Sequence, residues 1–150
     1  MIARVTQMHA HYYATVADFG REFACSVASS VAEFIGRLDN PSNEIWTIKR
    51  DDKIPASVAI DGEDLGHNRA HLQWFIVDDS LRGFGLGKQL LNSALAFADA
   101  QGFVQINLWT FSGLNAARYL YESQGFALVE EKLGSKWGIE VLEQRFTRCL

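Results

Sequence analysis

Cysteine and proline are both scarce in this chain, with two of each in 150 residues. Cys25 and Cys149 stand near opposite ends and outside any C-x-x-C spacing, so neither a disulfide framework nor a zinc site is indicated. A reducing cytoplasm fits that usage. Long apolar runs are missing too. Nowhere do ~18 uninterrupted apolar residues occur, and the opening MIARVTQMHAHYY lacks a secretory apolar core, so neither a membrane span nor a leader is supported. Positive charge is in deficit, with 14 Lys and Arg against 18 Asp and Glu, a net charge of −4 and a pI near 5.5. Such a balance argues against a broad nucleic-acid footprint, which needs a basic face to neutralise phosphates. Repeats, low-complexity tracts and interdomain linkers are absent as well. What is present is 48% hydrophobic and 12% aromatic content, enough to bury one core, and residues 1–150 are expected to form one soluble domain.

The apolar pattern divides the chain into elements. Residues 2–6 suggest a short strand and HAHYYATV a short helix after it. From Phe19, the residues Phe23, Val27, Val31, Phe34, Ile35 and Leu38 recur at helical spacing up to Asn40-Pro41. EIWTIKR and IPASVAI flank a short polar connector and predict a hairpin. RAHLQWFIV, residues 69–77, predicts a longer strand that runs into RGFGLGK, residues 82–88. A helical stripe of Leu86, Leu90, Leu91, Ala94, Leu95 and Ala98 then ends at Gly102. FVQINLWTF predicts a strand, SGLNAARYLYESQG a second helix ending at Gly125, and FALVEEKL and EVLEQRFTRCL a final strand pair. The central strand-helix-strand unit is expected to be parallel and right-handed. With hairpins around it, the fold class is α/β with a mostly antiparallel sheet and flanking helices.

Three glycines in five positions, immediately before a helix, come at an entropic cost that suggests a use. A P-loop is excluded, because the spacing requires glycine where Arg82 stands and Ser or Thr where Gln89 stands. The dinucleotide fingerprint fails at Lys88 or Leu90. What remains is a run of glycines between two basic residues at a helix start, whose unpaired amides carry about half a positive charge and attract phosphate. A glycine-rich turn with no ligand is the alternative. The order strand, R-G-x-G-x-G, helix, strand, then N-x-x-x-x-x-Y-x-x-x-G-F resembles the GNAT family of N-acetyltransferases. The family's cofactor loop pattern [QR]-x-x-G-x-[GA] is met by Arg82, Gly85 and Gly87, and its later segment by Asn115, Tyr121, Gly125 and Phe126. The run LWTFSGLNAARYLYESQGFALVEE also resembles the acetyltransferase half of bacterial fusions with MarR-type regulators, whose winged-helix half has no counterpart here.

That resemblance implies acetyl-CoA as cofactor and a primary amine, on a small molecule or a peptide, as acceptor. Arg82, Gly83, Phe84, Gly85, Leu86, Gly87 and Lys88 are expected at the pyrophosphate, and the backbone of Ile76 and Val77 at the pantetheine arm. The Val77 amide is also a candidate donor to the thioester oxygen. Asn115 is expected on the cofactor's polar arm and Arg118 at a phosphate, with a solvated arginine as the alternative. The resemblance makes Tyr121 the general acid for the departing thiolate, against an ordinary packing role. The usual family carboxylate on the central strand is not apparent. Alternation places Arg69, His71, Gln73, Phe75 and Val77 on one face, where a histidine is the side chain suited to proton transfer near neutrality. His71 is therefore the candidate base, against a hydrogen-bonded strand histidine without a catalytic part. Tyr12, Tyr13, Glu22, Glu33, Trp46 and Trp137 are candidate walls of the acceptor site. No metal site is read. The C-terminal edge strands are candidates for pairing between subunits of a homodimer, and a non-catalytic acyl-CoA-binding or sensing module is the functional alternative.

Overall fold

The computed structural model describes residues 2–51, 53–78 and 85–149. In chain order the elements are α1 (Ile2–Ala17), α2 (Arg21–Ile35), β1 (Glu44–Arg50), β2 (Lys53–Asp61), β3 (Arg69–Val77), α3 (Leu86–Gln101), β4 (Gln105–Phe111), α4 (Asn115–Ser123), β5 (Ala127–Gly134) and β6 (Val141–Cys149). Among the described residues the strands form one sheet in the order β1-β2-β3-β4-β6-β5. The β3–β4 pair is parallel and the other neighbours are antiparallel, as the sequence pattern predicts.

The opening differs from expectation. Residues 2–6 form the first turns of α1, which continues unbroken to Ala17, and among the described residues no strand precedes it. The reason is a buried stripe that contains a polar residue: Val5 and His9, one turn apart, are both buried, and Tyr13 continues the row. His9 keeps its place by pairing Nδ1 with the Val5 carbonyl at 2.8 Å.

Helices cover both faces of the sheet. On one, Leu90, Leu91, Ala94, Leu95 and Ala98 of α3 pack with Leu72, Ile106, Leu108 and Phe146 of the sheet, and Tyr121 of α4 joins them. On the other, Val5 of α1 and Phe23, Val27 and Val31 of α2 pack with Phe19 and Phe111. The second layer is clamped to the sheet by Arg37. Its guanidinium bonds Asp61 through both carboxylate oxygens at 3.2 and 2.6 Å, and also pairs with Glu33 and Glu63. Burial alone would raise the Asp61 pKa, but Arg37 and the amides of Glu63 and Asp64 hold it below the ordinary carboxylate value.

Both helices of the first layer end in the same way. Gly102 and Gly125 have φ of +80° and +94°, a region that favours glycine. After each, a phenylalanine amide reaches back five residues: Phe103 to the Ala98 carbonyl and Phe126 to the Tyr121 carbonyl. These are Schellman terminations, in which an apolar residue past the glycine also packs on the last turn. Arg148 of β6 joins the two ends, donating to the Gln124 carbonyl and pairing with Asp99.

The parallel pair is short. It covers Arg69↔Gln105, Ala70↔Ile106 and His71↔Asn107, after which β3 and β4 separate. At the last paired position Asn107 is buried, accepting from the Thr147 hydroxyl at 2.7 Å and from Arg145, and donating to Gln105. Replacing Asn107 with alanine removes this anchor and leaves the Thr147 hydroxyl without its acceptor, a loss expected at about 1–3 kcal/mol. Urea unfolding should show a lower midpoint at unchanged slope; an unchanged midpoint would show that the network contributes nothing.

Candidate active site

Each of the two parting strands stays paired on its outer side. β4 keeps β6 as partner from Gln105 to Phe111, and β3 keeps β2 as partner as far as Val77. Among the described residues their inner edges therefore lack a ladder partner beyond His71 and Asn107. Within this stretch β3 also carries a bulge. Ser57 pairs with Ile76 and Ala59 with Gln73, so Trp74 and Phe75 lie opposite the single residue Val58. Trp74 takes φ +51°, and the buried Ser57 hydroxyl donates to its carbonyl at 2.7 Å. A bulge of this kind redirects the side chains beyond it.

The bulge corrects the simple alternation of 69–77. His71 and Gln73 do share a face, but the extra residue puts Trp74 with them, against Phe34 of α2 at 5.4 Å. Phe75 and Val77 cross to the face of Leu72, packing toward α3. There Gly87 is closely packed, and a side chain on it would have to displace the Val77 methyl by a few tenths of an ångström. A β-carbon on it would lie 3.3 Å from Val77 Cγ2 and 3.6 Å from atoms of Phe75 and Leu120. Gly85, the N-cap of α3, has φ +71°, and the position its side chain would take is open. The amide of Asp78 donates to the Pro55 carbonyl at 2.7 Å. By antiparallel alternation the Val77 amide then faces the opposite way, into the parting.

A cavity of about 520 Å³ opens there, a size suited to a small ligand or a cofactor arm. It brings together Ile76, Val77, Gly85, Leu86, Gly87, Lys88, Asn115 and Tyr121 from β3, α4 and the start of α3, and Tyr12 adds a wall from α1. Arg82, Gly83 and Phe84 lie outside the described residues. Arg118 is directed elsewhere: it pairs with Glu122 at 3.2 Å, lies over the Phe146 ring and borders a neighbouring cavity shared with Asn115.

Tyr121 is at the centre of the arrangement. The α4 termination fixes its backbone, and Phe75, Phe126 and Phe146 surround its ring at centroid distances of 5.9–6.1 Å. Burial, with smaller contributions from the phenols of Tyr13 and Tyr12, pushes the Tyr121 pKa well above its ordinary value. The residue remains a proton donor throughout the physiological range. It also borders a second cavity of about 310 Å³ on the far side of the parting.

That second cavity holds His71, Gln73, Trp74 and Trp109 from the strands, His9 and Tyr13 from α1, and Lys136 and Trp137 from the β5–β6 turn. His71 Nδ1 lies 2.7 Å from Asp64 Oδ2, and the imidazole meets the Trp109 ring edge-on at 4.9 Å. Asp64 was not legible as part of the site. It comes from the loop before β3, which reverses through Gly66, His67 and Asn68, all at positive φ. Of the other candidate walls, Tyr13 and Trp137 line this cavity and Glu33 belongs to the Arg37 cluster beside it. Trp46 does not approach: it packs on Phe97 of α3, across the sheet. Glu22 lies beside Gly138.

Comparison with known proteins agrees with this architecture. The model of the acetyltransferase (GNAT) family matches residues 9–126, and the chain belongs to that family. Human N-acetyltransferase 8B is 30% identical over 95 residues, covering 61% of this chain and 42% of that protein; human N-acetyltransferase 8 is 28% identical over the same length. The chain thus spans less than half the length of these curated relatives. Among solved structures, yncA from Salmonella typhimurium, determined with its cofactor acetyl-CoA, superposes with a TM-score of 0.78 at 16% identity, over 99% of this chain and 88% of that one. A GNAT-family acetyltransferase from Staphylococcus aureus gives 0.76 at 18% identity, over 99% and 92%. At such identities the likeness is one of fold.

His9 generates a test of the site's α1 wall. Desolvation by burial lowers its pKa from 6.5 to about 4, against the opposing effect of the Val5 carbonyl. Between pH 6.5 and about 4 the unfolded chain therefore binds a proton that the folded chain refuses. The stability contributed by neutral His9 is complete above that window and is lost as pH falls through it, at up to about 1.4 kcal/mol per pH unit. Melting temperatures across this range should fall less steeply for His9→Leu than for the wild type; parallel curves would show that His9 is not buried as described.

Proposed function

We propose that the chain transfers an acetyl group from acetyl-CoA to a primary amine by direct attack at the parting of β3 and β4. One observation carries this: the cavity that gathers the glycine start of α3, the unpaired edge of β3, Asn115 and Tyr121 meets the second cavity at the Tyr121 ring. The residues present suit the cofactor. The free edge of β3 matches an amide-rich pantetheine arm, and the α3 start offers amides to a diphosphate. Bound acetyl-CoA supplies an activated thioester.

The chain's own groups then have defined tasks. The loop of residues 82–88 holds the pyrophosphate, with Arg82 and Lys88 adding charge and Gly83, Phe84, Gly85, Leu86 and Gly87 their backbone. Ile76 and Val77 align the pantetheine arm, and the Val77 amide donates to the thioester oxygen as negative charge grows on it. Asn115 bonds the polar arm, while Arg118 would have to exchange Glu122 for a phosphate. An alkylammonium holds its proton with a pKa of ~10.4, so the acceptor must be deprotonated before it attacks. His71, oriented by Asp64, takes that proton, directly or through a water held by Gln73. Tyr121 donates to the departing sulfur. A thiol loses its proton at ~8.5, below the raised value of this phenol, so hydrogen bonding to the thiolate comes first and the proton released by the amine completes the exchange.

The same reading treats residues 1–150 as one acetyltransferase domain, related within the family to the acetyltransferase half of MarR-type fusions. The exposed free thiols of Cys25 and Cys149 support a cytoplasmic setting. The exposed Val129 and Leu133 on the edge strand β5 support a homodimer.

Calorimetric titration with acetyl-CoA tests the donor site, and no heat at millimolar ligand would defeat the proposal. Thiol release with a panel of amines tests transfer; binding without release would favour an acyl-CoA-binding or sensing module. Tyr121→Phe should lower kcat by about 10²–10⁴-fold while acetyl-CoA affinity changes about twofold or less. Equal loss of rate and affinity would remove Tyr121 from the chemistry.

A further inference from the structure

Lys136 lies just past β5 in the turn to β6 and borders the same cavity as His71 and Tyr121. Its ammonium lies 4.8 Å from the centre of the Trp137 ring and 5.6 Å from that of Trp109. Two aromatic faces attract a cation without neutralising it. Among the described residues no carboxylate lies within ion-pairing distance of the Lys136 ammonium. The acid that acts on it, Glu143, is otherwise engaged, accepting from the Lys136 backbone amide at 3.1 Å. Desolvation holds the ammonium below the ordinary lysine pKa, while Glu143 only partly offsets it. The residue itself is exposed, so this charge stands at the rim of the cavity and is open to a ligand.

The rest of the cavity limits what that ligand is. About 310 Å³ admits a small molecule and little more. Tyr13, Phe23, Phe111, Trp74 and Trp109 give it aromatic walls, and Ser26, Ser30, Gln73 and Thr110 add polar groups among them. Tyr121 and His71 mark where an amine must arrive for transfer. A molecule that satisfies these features carries an amine at one point, an anionic group at another and a small body between.

We propose that Lys136 determines acceptor specificity, and that the acceptor is a small primary amine bearing a carboxylate, which pairs with Lys136. This rests on the cleft being the site of acetyl transfer described above. The opposite charge of the acceptor supplies the counter-ion that the fold withholds, and the two tryptophans hold the lysine chain in place for it.

Acceptor pairs that differ only in the carboxylate test this: phenylalanine against 2-phenylethylamine, and leucine against 3-methylbutylamine. The wild type should favour the carboxylate member of each pair by about tenfold in kcat/KM, the worth of one charged hydrogen bond. Lys136→Met should erase that preference through a higher KM at little-changed kcat, without affecting the carboxylate-free amines, and Lys136→Arg should retain most of it. Equal melting temperatures and equal acetyl-CoA affinities would establish that all three proteins are folded. A wild-type preference for the carboxylate-free amines, a preference that survives in Lys136→Met, or intact acetyl-CoA binding with neither class acetylated would overturn the inference alone. Calorimetric titration of the free protein with phenylalanine and leucine gives a readout apart from turnover. Binding weakened about tenfold by Lys136→Met would uphold the anion site even if acetyl-CoA failed to bind and the transfer proposal fell; Lys136-independent binding, or none, would overturn it.

Discussion

The arrangement depends on a limit to hydrogen bonding: β3 and β4 share three paired positions and then separate, while each continues to pair with its outer neighbour, β3 across a bulge. This is not a frayed end. The Asn107 network draws β4 toward β6, and the Ser57 hydroxyl fixes the bulge at Trp74 on the β2 side. Backbone donors and acceptors on the inner edges are left to find partners outside the sheet, and buried peptide groups seldom remain without any. A peptide-like ligand arm is a natural partner for such an edge.

Tyr121 gains its importance from the same opening. A residue near the end of a nine-residue helix would ordinarily be poorly restrained, since helix termini fray. Here the Gly125-Phe126 termination locks the backbone, Arg148 holds the capping residue's carbonyl, and three phenylalanines confine the ring. Tyr121, which borders both cavities, is thus held by restraints drawn from β3, α4 and β6 together. The geometry is that of a rigid positioning device, which is what the proposed proton donation would need.

Much of this was legible in the sequence because it is written in local patterns. Strand and helix periodicity marked the sheet elements and the helices α2, α3 and α4, and the glycines at 102 and 125 marked where helices must stop. The cavity residues 76, 77, 85–88, 115 and 121 converge because one strand-helix-strand unit and the next helix share a single edge. Three things resisted. Helix α1 hides its stripe behind His9, a polar residue that is buried only because its ring nitrogen is bonded to the turn below. The bulge at Trp74 depends on a hydroxyl supplied by Ser57 from another strand, and period-two alternation has no means of showing it. Asp64 and Lys136 reach the site through loops, where neither spacing nor propensity marks a partner.

The two helical layers are built on separate hydrophobic clusters, one holding α3 and α4 and the other α1 and α2. Only the sheet and a few side chains at its gap belong to both. Substitutions that reshape the aromatic chamber beneath α1 and α2 therefore need not disturb the packing beneath α3, and the reverse also holds. A lineage carrying this scaffold can explore new partners on one side while inheriting the other side unaltered, a modularity that arises within one continuous sheet instead of from joined domains.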